Sequence, residues 1–155
     1  MHDLPPPEAH PSLPGSGTVI GLDYGAARIG VAVAELELGI AHPVETIATA
    51  AEDQRARALQ RVLTEWRPVL LVVGLPRHQD ATPHRLDATI RLWARQLGEQ
   101  HRLPVAFVDE SFSSASASIA LGDQGVRGMR QKRHLDSVAA QQILQGFLDD
   151  RRVLA

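Results

Sequence analysis

Two nearly unbroken apolar runs, TVIGLDY (18–24) and RIGVAVAE (28–35), are separated only by Gly25, Ala26 and Ala27. A gap that short between strand-like runs predicts a hairpin. A third strand is expected within 38–48, broken by Pro43, which suggests an antiparallel meander. After residue 50 the period lengthens: Leu59, Val62, Leu63 and Trp66 fall at i, i+3, i+4 and i+7, the stripe of an amphipathic helix over 51–66. VLLVVG (69–74) follows Pro68 as a continuous apolar run, which suits a strand buried on both faces. Thr82 and Pro83 read as the N-cap and first position of a helix whose stripe is Leu86, Ile90, Trp93 and Leu97. PVAFVDE (104–110) is the next buried strand. A short helix is expected over 113–121, a Gly- and Arg-rich loop over 122–134, and a final helix over 135–150 with Ala140, Ile143, Leu144 and Phe147 inward. Helical crossovers make the later strands parallel, and the right-handed rule limits how they return. The expected class is α/β, a mixed sheet covered by helices on both faces.

Composition narrows this picture. At 155 residues with 44% hydrophobic content the chain supports one core. Residues 1–17 hold five of the ten prolines and few apolar side chains, so they read as a flexible tail before a domain over 18–150, with a short tail over 151–155. The absence of Cys excludes disulfides, thiolate zinc sites and cysteine nucleophiles. No apolar run reaches the roughly 20 residues a membrane span needs, and the cytoplasm is the expected location. A net charge of −2 gives no global attraction for a polyanion, so any basic surface must be local.

Three acids stand where packing favours apolar residues. Asp23 ends the first strand on the face of Val19 and Gly21, where the absent Gly21 side chain leaves space. A turn-forming Asp before Gly25 is the alternative. Asp109 and Glu110 end the last strand, one toward each face. Asp136 opens the final helix in line with Ala140, Ile143 and Phe147, although an Asp there also serves as a helix cap. The carboxyl ends of parallel strands share one edge, so Asp23 and Glu110 are expected to meet there with Asp136 in reach. Converging carboxylates repel unless cations bind, and oxygen-only ligands suit Mg²⁺ or Mn²⁺. A metal pair of that kind orients water against a phosphodiester.

VRGMRQKRH (126–134) gathers Arg127, Arg130, Lys132 and Arg133 beside this acidic edge, an attractive surface for a phosphate backbone. It contains no interleaved aromatic residue, so backbone contact is expected over base stacking. GLPRHQDAT (74–82) is expected along the same edge, with Arg77 and His78 touching substrate or the stretch forming a loop hydrogen-bond network. His78, Asp80 and His84 make only a weak metal pattern. Ser111, Ser113 and Ser114 lack a local His to activate them, so acyl chemistry is discounted.

The run 21–33, VVGLP (72–76), Asp109-Glu110-Ser111 and LDSVAAQQIL (135–144) together resemble, in order and spacing, the YqgF (RuvX) family of the ribonuclease H-like superfamily. That resemblance covers roughly 18–150. It implies a ribonuclease H-like five-stranded fold, metal-dependent phosphodiester cleavage, and a role in resolving Holliday junctions or maturing the 5′ end of pre-16S rRNA. It also implies Asp23, Glu110 and Asp136 as catalytic acids. The family usually continues Asp-Glu with Arg-Leu-Ser-Thr, whereas Ser111, Phe112, Ser113 and Ser114 stand here, leaving Arg77 or Arg130 to clamp phosphate. Its Asn and Gly after the fourth strand correspond to His78 and Ala81.

Two other classes fit parts of the chain. A non-catalytic nucleic-acid or protein-binding module could keep this fold without the family Arg. An actin-like nucleotide binder shares the Asp-x-Gly hairpin but requires a second domain that 155 residues cannot hold. No feature marks a dimer surface, so monomer and homodimer both stand.

Overall fold

A computed structural model describes residues 13–76, 85–110 and 128–150, the stretch 128–135 by its backbone alone. Its strands are β1 (Thr18–Tyr24), β2 (Ile29–Glu35), β3 (Ala41–Ile47), β4 (Leu70–Leu75) and β5 (Val105–Asp109). The helices are α1 (Glu52–Trp66), α2 (Asp87–His101) and α3 (Gly128–Asp150). One sheet runs in the order β3-β2-β1-β4-β5. The β1–β2 and β2–β3 pairs are antiparallel, and β1–β4 and β4–β5 are parallel. This is the mixed five-stranded sheet expected from the sequence, with helices on both faces. Among the described residues no helix is long and apolar enough to cross a membrane.

Three local expectations are corrected. Pro43 does not break the third strand: it pairs with Ala32 beside an irregularity in the β2–β3 register, on an outer strand that tolerates a missing N–H. Helix α2 starts at Asp87 after a turn at 85 and 86, later than Thr82 and Pro83, which lie outside the described residues. Asp87 and Arg91 brace this start with an i,i+4 ion pair of 2.7 Å. Helix α3 begins at Gly128, inside the stretch expected to be loop. Met129 to Lys132 are all good helix formers, and the density of charge had masked that propensity. The expected tail over 1–12, the helix over 113–121, the loop residues 122–127 and the 151–155 tail also lie outside the described residues.

The two faces of the sheet are built from different residues. On one, Ile20, Leu22, Ile29, Val31, Leu71, Val73, Leu75 and Phe107 pack against Leu59, Val62 and Leu63 of α1 and Ile90, Ala94 and Leu97 of α2. On the other, Val19, Ala32, Ala34, Val72, Ala106 and Val108 meet Ala140, Ile143, Leu144 and Phe147 of α3. Three glycines complete this second face. A Cβ on Gly21 would stand 2.8 Å from Leu144 Cβ, one on Gly74 2.5 Å from Ile143 Cδ1, and one on Gly30 2.0 Å from the Asp136 carbonyl oxygen. Helix α3 therefore rests nearly on the sheet backbone, and only glycine permits that approach. At its far side Gln145 accepts from Ala41 N–H at 2.9 Å, while Gln141 donates to Ala41 C=O at 3.0 Å.

Candidate active site

The glycine-bearing face carries the acids. Asp23 is the last but one residue of β1 and pairs in register with Gly30 of β2. Strand alternation aims it to the side of Val19 and Gly21, as expected. Glu110 continues the β4–β5 ladder one residue beyond β5, donating its N–H to Leu75 C=O at 3.2 Å. Its Oε1 lies against Gly74, where a Cβ would come within 2.8 Å. Asp109 is exposed, so the two neighbouring acids separate as expected. Asp136 sits eight residues inside α3 rather than at its start, which removes helix capping as its explanation. Gly30 is what lets that turn of the helix descend beside Asp23.

Electrostatics follow from this crowding. Burial pushes Asp23 up to about 6; Asp136's charge adds to the rise, and a hydrogen bond with Glu110 opposes it. Burial likewise pushes Glu110 up to about 9, reinforced by the charge of Asp23, their hydrogen bond and the charge of Asp109. The pair accordingly holds a proton near neutral pH, with the Glu110 carboxyl donating and the Asp23 carboxylate accepting. Asp136 has a cation of its own: Arg28 Nε donates to Asp136 Oδ2 at 3.0 Å, both side chains being about three-quarters covered.

These donors suit a hard divalent cation. The set is oxygen-only, and binding a cation would relieve the repulsion that raises Asp23 and Glu110. Among the described residues no three acids or histidines already stand together at ligand spacing. Asp23 and Glu110 touch, whereas Asp136 is engaged with Arg28.

The six basic and polar residues expected to meet substrate fare differently. Arg77, His78 and Arg127 lie outside the described residues. Arg130, Lys132 and Arg133 fall on the opening turns of α3, so they belong to a helix and not to a loop. Sequence reading missed Arg28, Gly30, Gly74 and the buried Arg55. Arg28 could have been found, since an Arg opening a buried strand next to a lone acid calls for a charge partner. Arg55 stands four residues before Leu59 on the inward stripe of α1. It donates to the carbonyls of Gly25 and Thr49 and lies 5.4 Å over the Tyr24 ring, bracing the β1–β2 turn beneath Asp23.

A protein of Nitrosospira multiformis, named provisionally as a pre-16S rRNA nuclease, is 45% identical over 90% of this chain and 93% of its own length. One of Methylobacillus flagellatus with the same name is 47% identical over 90% of this chain and 95% of its own. The yeast mitochondrial Holliday junction resolvase Ydc2 shares the fold, with a TM-score of 0.53 at 12% identity over 90% of this chain and 80% of that one. The family model described as RuvX, Holliday junction resolvase, matches residues 17–150, and the chain belongs to that family of nucleases.

Proposed function

We propose that this nuclease is a divalent-metal-dependent endonuclease of structured nucleic acid, that residues 18–150 form its catalytic unit, and that its substrate is precursor 16S rRNA cut at the 5′ end. The chemistry is supported by the hydrogen-bonded contact of Asp23 with Glu110, by the charge of Asp136 acting on Asp23, and by the glycines that bring α3 down on this edge. The substrate rests on relatives at 45–47% identity over nine-tenths of the chain, all named for that RNA. Asp23, Glu110 and Asp136 would hold Mg²⁺ or Mn²⁺. Such a cation, when bound, orients water and offsets charge on the leaving oxygen of the phosphodiester. Asp23 anchors the site on the central strand. Glu110, whose carboxyl binds a proton readily, holds a proton near neutral pH in its hydrogen bond with Asp23. Helix α3 delivers Asp136 as part of a rigid element, so its backbone position is fixed before substrate arrives.

The test is cleavage of a 5′-extended 16S precursor and of a four-way DNA junction, each with Mn²⁺ and with chelator. Wild type is expected to cut the RNA only with metal. Asp23→Asn is expected to lower the rate at least about 1,000-fold while substrate binding stays within a few-fold, by loss of charge stabilisation at the reacting phosphate. Full activity of that variant defeats the site assignment. Cutting of the junction but not the RNA transfers the substrate to branched DNA.

A further inference from the structure

The geometry points to Arg28 as a residue of the reaction: it holds Asp136 by an ion pair that a divalent cation must displace, and its freed guanidinium then receives the scissile phosphate. This inference rests on the metal-holding reading of the three acids. Four observations lead to it. Arg28 Nε donates to Asp136 Oδ2 at 3.0 Å, so one of the three acids is engaged with a fixed cation. Both side chains stay about one-quarter exposed, so the pair opens to the edge where substrate must come. Among the described residues the terminal nitrogens of Arg28 make no other bond, which leaves part of the fork to receive a second anion.

The fourth observation is where Arg28 sits. It follows directly on the β1–β2 turn, and a Cβ on Gly25 would come within 2.7 Å of the Arg28 carbonyl oxygen. Arg55 ties the Gly25 carbonyl from the other side. Arg28 thus leaves a tight turn whose Gly25 carbonyl is held by Arg55. Beside Asp136, Arg28 supplies the planar fork that a phosphate clamp requires.

A competitor for Asp136 and a mere prop for it differ in the sign of one measurement. Calorimetric titration of chelator-stripped protein with Mn²⁺, alongside single-turnover cleavage of the RNA precursor, reads both. Arg28→Met is expected to bind Mn²⁺ about tenfold more tightly, because a fixed positive charge next to the site is gone. The same variant is expected to cleave about 100-fold more slowly, because a donor to the phosphate is gone. Arg28→Lys keeps the charge without the fork, so its Mn²⁺ affinity should stay within about twofold of wild type while its rate falls about tenfold. Weaker Mn²⁺ binding by Arg28→Met, or an unchanged rate, overturns the inference. Should Arg28→Met fail to fold, Arg28→Lys decides alone: affinity and rate falling together count against it. If wild type neither binds Mn²⁺ nor cuts with it, the metal-holding reading itself fails, a result distinct from any effect of the variants.

Discussion

The two faces of the sheet solve opposite problems with the same five strands. The face under α1 and α2 is filled by Ile, Leu, Val and Phe side chains, and the helices stand off on them. The face under α3 is paved with Gly21, Gly30, Gly74, Ala32 and Ala34, and the helix lies on the backbone. Large side chains on the first face bury area, which supplies most of the drive to fold. Small residues on the second give up that area and gain position: the Asp136 backbone reaches the level of the Asp23 strand. Both faces bury a core, and the second also sets the position of α3.

Substitutions should therefore separate by face. The largest effect is expected for Gly30→Val, whose side chain would occupy the place of the Asp136 carbonyl. Displacing α3 by even about 1 Å should cost about 100-fold in cleavage, and overpacking about 3 kcal/mol in stability, read by kinetics and denaturant unfolding. Leu22→Ala on the other face should cost about 3 kcal/mol in stability, with cleavage per folded molecule unchanged. Equal losses of activity from both variants would erase the distinction.

The third effect follows pH. In chelator-stripped protein Asp23 is raised from 3.8 to about 6 and Glu110 from 4.5 to about 9. The folded state therefore binds more protons than the unfolded chain between these limits. Stability contributed by this pair is fully present below about pH 4 and is lost as pH rises through 6 toward 9. Melting temperature should fall over that window, Mn²⁺ should restore it at pH 8, and Asp23→Asn should flatten the dependence. A melting temperature indifferent to pH there would mean the acids are not crowded. The smallest effect is expected for Gln145→Ala, about 1 kcal/mol, through loss of its bonds to Ala41 N–H and Gly39 C=O with no change in cleavage rate.

Much of this was readable from the chain because period and polarity report on one element at a time. The alternation of 18–24 placed Asp23 on the Gly21 face, and the stripe through Ala140, Ile143 and Phe147 placed Asp136 inward. Residues whose meaning depends on a distant partner were not readable. Gly30 looks like any strand glycine until residue 136 is known to rest on it. Arg28 looks like a hairpin residue until its partner 108 positions away is known. The start of α3 was misplaced for a different reason, since basic residues favour helix as readily as they favour solvent.

The two glutamines that fasten α3 to β3 also cover one end of an outer strand. An outer strand ordinarily offers its backbone as a template on which a foreign strand can grow, the first step toward aggregation. In β3 both the N–H and the C=O of Ala41 are already taken by side chains of the same molecule. A strand added at that end would have to compete with Gln145 and Gln141 for this first rung.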